Sequence, residues 1–473
     1  MPDTLKPEEP LDIAIVGGGI VGLALVLGLQ HRGIRVTLYE KTSAFRPIGA
    51  GIGFTPNSLR ALELLHPKAI EAQRRVTTPN GDPKNPNDWL TYLDGYHVNS
   101  DNPNDTEEKL LFQLHTGFRG FEGCVRAHLL DEFLKLIPPE TIKFSKSIDQ
   151  VIDQGVDKKV LLQFEDGTTA GADAVIGCDG IKSRVRKLIL GSNHPAAEPS
   201  YNHQYALRGL IPIDLAIAAL GEHKARNRHM HLGPGSYVIT VPVGHGAMVN
   251  LVAFLQDPNE WPDTTRLTAP ADREEVERAF SHFAKPVRGI IKALFDSSPH
   301  LDRWAIFDSA EHPSPTYAVG RIAIAGDAAH AAAPHHGAGA GMGIEDCLVL
   351  STLLAEVVGS TANAGVSKAA AVRAALVAYS EVRMERTKWV VESSRVIGEL
   401  LEWRYLGTLR DFGKCLEELT WRSHRIWHYD EKKMLNEARA EYEKLLNSGA
   451  EKEMLLEGAK GNGGAAAATV SVM

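Results

Sequence analysis

The sequence is poor in cysteine, has no surplus of positive charge and contains no long uninterrupted apolar run, and each shortage excludes a class of protein. Its four cysteines, Cys124, Cys178, Cys347 and Cys415, are separated by tens of residues. That spacing predicts neither a metal site nor a disulfide scaffold, and it fits a reducing compartment. Because 59 acidic residues outnumber 51 basic ones, the net charge is −8 and nucleic acid is not expected as a partner.

The most apolar stretch, residues 13–29, is short for a membrane span and is interrupted by glycines. The first ten residues, MPDTLKPEEP, are acidic and contain proline, whereas a secretory signal needs basic residues followed by an apolar run. We therefore expect a cytoplasmic protein with no membrane association.

Glycine is abundant, with 43 in 473 residues, and it clusters in three places. The first cluster follows an apolar run at residues 11–16 that predicts a strand. A helix is predicted from this cluster to Arg32, and residues 35–40 supply a second strand. These elements form a βαβ unit of about thirty residues.

The glycines of this unit have the spacing of a dinucleotide-binding turn. Gly17 permits the tight turn, Gly19 lets a pyrophosphate approach the backbone, and Gly22 allows close helix packing. Glu40, at the end of the second strand, can accept hydrogen bonds from ribose hydroxyls. An acidic residue suits a ribose without a 2′-phosphate, so the pattern predicts FAD or NAD.

Two further motifs follow in order along the chain. One is the run from Cys178 to Arg186, and the other starts at Gly326 and extends to Asp346. With these motifs the chain resembles the class A FAD-dependent aromatic monooxygenases, the salicylate-hydroxylase-like and para-hydroxybenzoate-hydroxylase-like group. The matching positions of the two motifs are Asp179, Gly180, Ser183 and Arg186, then Gly326, Asp327, Ala328, Ala329, His330, Pro334, Gly337, Gly339, Gly341, Gly343 and Asp346. The resemblance covers roughly residues 11–400, and the last seventy residues are not diagnostic.

The pattern and the resemblance together predict an α/β fold with a Rossmann-like FAD-binding domain, an inserted antiparallel-sheet substrate domain and C-terminal helices. Alternating strands at residues 205–213, 236–243 and 248–255 are typical of the antiparallel sheet. The predicted boundaries are a discontinuous FAD-binding domain at 1–77, 110–196 and 311–360, an irregular insertion at 78–109, a substrate domain at 197–310, a helical region at 361–447 whose last helix stops near Gly449, and a disordered tail at 448–473.

The resemblance implies non-covalent FAD, and NADPH or NADH as a transient co-substrate, because no second dinucleotide fingerprint is present. Asp327 is expected to bond ribityl or ribose hydroxyls, and Arg126 resembles a flavin-contacting arginine. The loop at Gly49–Ile52 resembles the segment beside the isoalloxazine ring. The predicted cofactor-binding residues are Gly17, Gly19, Gly22, Glu40, Gly53, Arg126, Asp179, Asp327, Gly339 and Ala340.

The implied reaction is hydride transfer from NAD(P)H to FAD, oxygen addition to form a C4a-hydroperoxyflavin, and oxygen delivery to a small phenolic aromatic. O2 and this phenol are the expected partners, with the protein a monomer or homodimer. Three outcomes stay open, namely dearomatisation of a polyketide-derived resorcinol, oxidative decarboxylation of a salicylate-type acid, and an oxidase or dehydrogenase without oxygen insertion.

Two strand residues are the predicted catalytic pair. Arg208 lies among apolar residues, where an unpaired guanidinium is costly and calls for an anionic partner. Arg208 and Tyr237 resemble the pair of fungal monooxygenases that act on resorcinols, in which the arginine binds the phenolate or its ortho carbonyl and the tyrosine orients it. An edge-strand charge for Arg208 and core packing for Tyr237 are the alternatives. His335 and His336 depart from the related salicylate hydroxylases, which often carry glutamine at the second position, and their role is open between substrate contact, proton relay and packing.

Overall fold

The computed structural model describes residues 10–45, 51–82, 88–96, 107–117, 120–156, 158–298, 300–363 and 366–460. The strands are β1 Asp12–Val16, β2 Arg35–Tyr39, β3 Gly51–Phe54, β4 Asp88–Asp94, β5 Lys109–His115, β6 Glu122–Val125, β7 Ile142–Lys143, β8 Ile148–Ile152, β9 Val160–Phe164, β10 Thr169–Ala172, β11 Ala174–Gly177, β12 Ser200–Pro212, β13 His229–Gly233, β14 Ser236–Val243, β15 Met248–Gln256, β16 Thr268–Pro270, β17 Asp302–Asp308, β18 Ala318–Val319 and β19 Ile322–Ile324. The α-helices are α1 Ile20–His31, α2 Pro56–Leu65, α3 Pro67–Val76, α4 Arg126–Leu134, α5 Arg184–Leu190, α6 Ile213–Leu220, α7 Glu222–Ala225, α8 Arg273–Ala279, α9 Lys285–Ser297, α10 Asp327–His330, α11 Gly339–Asn363, α12 Lys368–Leu401, α13 Phe412–Trp427 and α14 Glu431–Lys460.

A six-stranded sheet in the order β18-β19-β11-β1-β2-β7 carries the predicted βαβ unit. Its strands are parallel except for β18, which pairs antiparallel with β19. Helix α1 connects β1 to β2, and its residues from Leu23 to Leu29 are buried because sheet and helices enclose it. The sheet confirms the predicted α/β class and places the glycine turn at the carboxyl end of β1, where such sheets bind ligands.

An eight-stranded sheet in the order β16-β17-β12-β15-β14-β13-β4-β5 forms the second layer. All its pairings are antiparallel except that of β13 with β4. The prediction of an irregular insertion at 78–109 was wrong for residues 88–94, which form β4. Both faces of β4 are covered, so Trp89, Leu90, Tyr92 and Leu93 are buried and the run shows no alternation. Residues 83–87 and 97–106 of that stretch lie outside the described residues.

Helix α11 packs against α1 and α2, and helices α12 and α14 pack against α11. Arg383 of α12 is fully buried and forms ion pairs with Glu345 and Asp346 of α11. Helix α14 continues to Lys460 instead of stopping near Gly449, because strong helix formers follow that glycine. The predicted tail is therefore helical in its first part, and residues 461–473 lie outside the described residues. Within the described ranges, each helix is too short or too polar to cross a bilayer.

Candidate cofactor and substrate cleft

A cleft of about 520 Å³ lies between the glycine-rich turns of the parallel sheet and one face of the eight-stranded sheet. We call one side the glycine wall, formed by Gly19, Gly51, Gly53, Gly180, Asp327 and Gly339. We call the other side the sheet wall, formed by Arg208, Tyr237, Ile239, Val252, Phe254 and Trp304. Eight predicted site residues line this cleft, namely Gly19, Gly53, Arg126, Arg208, Tyr237, Asp327, Gly339 and Ala340. Four do not, namely Gly17, Gly22, Glu40 and Asp179.

The first glycine motif divides into packing positions and an open one. A Cβ at Gly22 would lie 2.0 Å from the Gly17 carbonyl oxygen, and a Cβ at Gly17, whose φ is +104°, would lie 2.5 Å from the Cys178 carbonyl oxygen. A Cβ at Gly19 would meet no protein atom within 4 Å. Helix α1 starts there without a side-chain cap, so its first N–H groups are available to an anion such as a pyrophosphate.

Glu40 supports the glycine turn from the end of β2. Its carboxylate accepts hydrogen bonds from the Gly18 N–H at 2.7 Å and from the N–H and hydroxyl of Thr42 at 2.8 and 2.9 Å. The carboxylate therefore lies against the turn that leads into α1. A ribose role for Glu40 fits this position and stays a prediction.

The second motif acts through the backbone around it. The Asp179 carboxylate accepts hydrogen bonds from the Ser183 hydroxyl at 2.5 Å and from the N–H groups of Arg184 and Val185 at 2.7 and 3.1 Å, so it caps α5. Arg186 is buried and donates to the carbonyl oxygens of Ala197 at 3.0 Å and Ala328 at 2.9 Å. The second motif therefore holds the backbone of the third.

Asp327 presents its carboxylate to the cleft at the start of α10. Gly326, whose φ is +62°, makes the turn before it, and the Gly326 N–H donates to Asp346 at 2.9 Å. Asp346 also bonds the His330 ring at 2.6 Å and Arg383 at 2.8 Å, so buried charges fix the turn. Desolvation by the surrounding protein raises the pKa of Asp327, while the neighbouring His330 and Arg126 oppose that rise. Among the described residues Asp327 forms no ion pair, which leaves it open to hydroxyl donors of a ligand.

Arg126, Gly51 and Gly53 complete the glycine wall at its junction with the sheet wall. Burial lowers the pKa of Arg126, at the start of α4, while the nearby Asp327 opposes this effect. The Gly51 N–H donates to the Asn250 side chain of β15 at 2.9 Å, which ties β3 to the sheet wall. A Cβ at Gly53 would lie 1.8 Å from the Phe121 ring. The predicted positions Gly49 and Ala50 lie outside the described residues.

The register of three strands aligns the sheet wall. Ala206 of β12 and Tyr237 of β14 both pair with Phe254 of β15, while Arg208 pairs with Val252 on the next level. Because side chains alternate between the two faces, these residues share the face toward the cleft. Strand spacing places the Arg208 and Tyr237 backbones about 10 Å apart across the sheet and about 7 Å apart along it.

Arg208 is a half-buried cation that has an aromatic partner and, among the residues the structure describes, no acidic one. Its guanidinium lies 4.6 Å from the centre of the Trp304 ring. Burial lowers its pKa, and the positive charge of Arg126 lowers it further. In the described part of the chain Arg208 forms no salt bridge, so its positive charge is available to an anionic ligand in the cleft.

Tyr237 lies at the beginning of a buried chain of hydrogen bonds. Its ring stacks on Phe254 at 4.6 Å, and its hydroxyl lies 2.6 Å from Nδ1 of His335. His335 Nε2 lies 3.0 Å from Gln204 Oε1, and Gln204 Nε2 donates to Glu402 at 2.8 Å. Burial lowers the pKa of His335 to about 3, so this imidazole is neutral. His336 bonds the Ser393 hydroxyl at 3.0 Å instead.

The sequence did not reveal Gln204, Asn250 or Glu402 as site residues. Gln204 lies on β12 one residue before the predicted strand at 205–213, and a single glutamine there carries no distinguishing signal. Glu402 lies just after α12, in a region without a diagnostic motif, and is fully buried. Its only local signal is an acidic residue between Leu401 and Trp403.

The glycine wall fits FAD. The open start of α1 offers amide donors to a pyrophosphate, and the acidic groups of Glu40 and Asp327 can accept hydrogen bonds from sugar hydroxyls. Gly51 and Gly53 bring the backbone of β3 close to Asn250 and to the Phe121 ring, so this part of the glycine wall lies directly against the sheet wall. We therefore assign the glycine wall to the cofactor and the sheet wall to the substrate, as a prediction from the geometry.

Comparison with known proteins agrees with these expectations. A family model for an FAD binding domain matches residues 137–385. The FAD-dependent monooxygenase pigN of Monascus ruber is 51% identical over 446 residues, which cover 94% of this chain and 100% of the relative. The salicylate hydroxylase asL1 of Sarocladium schorii is 40% identical over 449 residues, which cover 93% of this chain and 92% of the relative.

Among solved structures, a salicylate hydroxylase substrate complex is 30% identical and superposes with a TM-score of 0.76, covering 91% of this chain and 98% of that chain. The predicted family, enzyme class and cofactor are thereby confirmed. The chain belongs to the salicylate-hydroxylase-like class A flavoprotein monooxygenases, which are oxidoreductases that use FAD and NAD(P)H.

Proposed function

We propose that this monooxygenase hydroxylates a phenolic aromatic of the resorcinol type and dearomatises its ring in doing so. The observation that carries the proposal is Arg208, a cation in the cleft with no carboxylate partner among the described residues. A phenolate is the small aromatic anion that fits such a position. Tyr237, two strands away on the same face, supplies a second polar contact.

In this proposal the protein binds the phenol, orients it and keeps water out. Arg208 stabilises the phenolate form, which makes the ring carbons more nucleophilic, while Tyr237 holds a second oxygen of the substrate. The apolar side chains Ile239, Val252 and Phe254 cover the ring. FAD, when bound, takes a hydride from NAD(P)H and activates O2, so that one oxygen atom reaches the substrate and the other leaves as water.

The Arg208→Ala variant tests this role. We expect kcat/KM to fall about 100-fold or more, because a charge-assisted hydrogen bond in a water-excluded site contributes roughly 3 kcal/mol. FAD should remain bound, since Arg208 lies on the sheet wall. The measurement is substrate-stimulated NAD(P)H oxidation together with a mass gain of one oxygen, using 2,4-dihydroxybenzaldehyde and related resorcinols as probes.

Arg303→Ala is the matched control. The Arg303 guanidinium stacks over Tyr205 and Trp261 at 5.5 and 5.3 Å, outside the cleft lining. It therefore shares the aromatic stacking of Arg208 without its access to the substrate. Near-normal turnover in Arg208→Ala would remove that residue from the mechanism.

Oxidative decarboxylation of a salicylate-type acid is the second candidate. It is favoured by the likeness to a salicylate hydroxylase structure and by the fact that Arg208 suits a carboxylate as well as a phenolate. Product analysis separates the two reactions. Release of carbon dioxide indicates the salicylate route, whereas retention of all carbons with loss of ring absorbance indicates dearomatisation.

A further inference from the structure

The hydrogen-bond chain behind Tyr237 ends at Glu402, a buried carboxylate surrounded by donors. Its Oε1 accepts from Gln204 Nε2 at 2.8 Å, and its Oε2 accepts from Gln256 Nε2 at 2.5 Å and Arg404 Nε at 2.9 Å. Its side chain is fully buried, while that of Arg404 is 41% exposed. An ionised carboxylate only accepts hydrogen bonds, so Glu402 determines which end of the Gln204 amide faces it.

The other contacts of Gln204 agree with this orientation. The backbone N–H of Gln204 donates to Asn202 Oδ1 at 3.1 Å, which leaves the Asn202 amide nitrogen facing Gln204 Oε1 at 3.3 Å. Gln204 Oε1 is therefore an acceptor, and His335 Nε2 must carry the proton that it receives at 3.0 Å. A neutral imidazole has one N–H, so His335 Nδ1 is an acceptor.

This tautomer determines what Tyr237 can do. Its hydroxyl hydrogen goes to His335 Nδ1 at 2.6 Å, which leaves only oxygen lone pairs for the cleft. We propose that Glu402, acting through Gln204 and His335, makes Tyr237 a hydrogen-bond acceptor, so that Tyr237 selects a protonated hydroxyl of the substrate while Arg208 takes the ionised one. This inference rests on the proposed phenolic substrate and assigns its two oxygens to two residues. Glu402 is a positioning residue in this scheme.

The Glu402→Gln variant reverses the chain. In this variant the new amide NH2 group replaces one of the two carboxylate oxygens. Facing Gln204, it meets one hydrogen-bond donor, whereas facing Gln256 and Arg404 it would meet two, so the first orientation creates fewer donor–donor contacts. The Gln204 amide then turns over, which gives up its 3.3 Å contact with the Asn202 amide nitrogen, and donates to His335 Nε2. The imidazole proton therefore moves to Nδ1 and is donated to the Tyr237 oxygen. Tyr237 now points its hydroxyl hydrogen into the cleft.

The first experiment determines the His335 tautomer in holoenzyme without substrate. Imidazole nitrogen chemical shifts of 15N-histidine-labelled protein are compared between wild type, Glu402→Gln and the control Gln256→Met, with His335→Gln identifying the signal. The pH is held above the pKa of Glu402, which burial raises to about 7. We expect the proton on Nε2 in wild type and Gln256→Met, and on Nδ1 in Glu402→Gln. A proton on Nδ1 in wild type, or no change in Glu402→Gln, overturns the inference.

The second experiment measures the ligand preference that follows. Dissociation constants of 2,4-dihydroxybenzaldehyde and its two monomethyl ethers are compared by their effect on flavin absorbance. In wild type, methylation of the hydroxyl that faces Tyr237 should weaken binding about tenfold, the effect of one lost hydrogen bond. In Glu402→Gln the ratio should fall to about threefold or less, since the ether oxygen can then accept from Tyr237. Gln256→Met should keep the wild-type ratio, and an unchanged ratio in Glu402→Gln contradicts the inference.

A further variant covers the case in which Glu402→Gln does not fold. Gln204→Met disconnects Glu402 while keeping its charge, and we expect His335 to populate both tautomers. If His335 remains wholly Nε2-protonated in Gln204→Met, the tautomer of this imidazole is not set through Gln204, and the inference is wrong. Failure of the wild type to bind or oxidise any of the phenols instead refutes the proposed function, while the tautomer measurement still tests the chain.

Discussion

The two walls of the cleft are built in different ways. The glycine wall is mainly backbone, because most of its residues are glycines. Charged groups behind it, such as Asp179 and Arg186, hold the backbone turns in place. On the sheet wall the backbone is regular, and the chemistry lies in side chains such as Arg208 and Tyr237. His335, from a different segment, contacts Tyr237. The first wall is specified by steric exclusion and the second by hydrogen-bond direction and charge.

The largest effect in this comparison is expected at Gly22. Gly22→Ala places a methyl group 2.0 Å from the Gly17 carbonyl oxygen, so α1 must move and the protein should lose about 3 kcal/mol or more of stability. Gly19→Ala adds the same methyl where no protein atom lies within 4 Å, so it should change stability by about 1 kcal/mol or less while weakening FAD binding. Melting of the apoprotein and FAD titration separate the two. An equal loss of stability in both variants would refute the division into packing and open glycines.

A smaller effect is expected on the sheet wall. Tyr237→Phe leaves the buried His335 Nδ1 without a donor, which costs about 1–3 kcal/mol of stability. FAD should stay bound, because the change is confined to the sheet wall, and binding of a resorcinol probe should weaken. Tyr92→Phe is the matched control, since Tyr92 is equally buried and packs on Phe112 outside the cleft. Melting temperature, FAD content and probe affinity are the measurements, and loss of FAD in Tyr237→Phe would contradict the separation of the walls.

The smallest effect is a dependence of stability on pH that comes from Glu402. Burial raises its pKa from 4.5 to about 7, so between these values the folded chain binds this proton more tightly than the unfolded chain. The free energy of unfolding should therefore fall as pH rises through that window, by up to about 1.4 kcal/mol per pH unit. Denaturant unfolding across the window measures it, and Glu402→Gln should remove this part of the slope. An identical pH dependence in both proteins would show that Glu402 does not titrate there.

The glycine wall could be predicted from the sequence because its requirements are local. Gly17, Gly19 and Gly22 lie within one turn and the start of one helix. Their spacing in the sequence is therefore enough to predict the close approach of Gly22 to the Gly17 carbonyl oxygen. Arg208 could be predicted because an isolated charge within an apolar strand is costly wherever the strand lies.

The rest of the site depends on contacts between distant segments. Gln204 and Glu402 are 198 residues apart in the sequence, and no local pattern reports that they meet. Strand β4 was missed for a similar reason. Its edges pair with β13 and β5, and Trp427 of α13 packs on its Trp89, and its own sequence does not reveal these contacts.

The position of Glu402 has a consequence for protein engineering. In the proposed scheme, the strands that contact the substrate come from one part of the chain, but the carboxylate that orients their tyrosine follows the end of α12. A chimera that exchanges only residues 197–310 between related enzymes would pair one parent's Gln204 with the other parent's residue at position 402. Selectivity should therefore be transferred as a two-segment module that includes the end of α12.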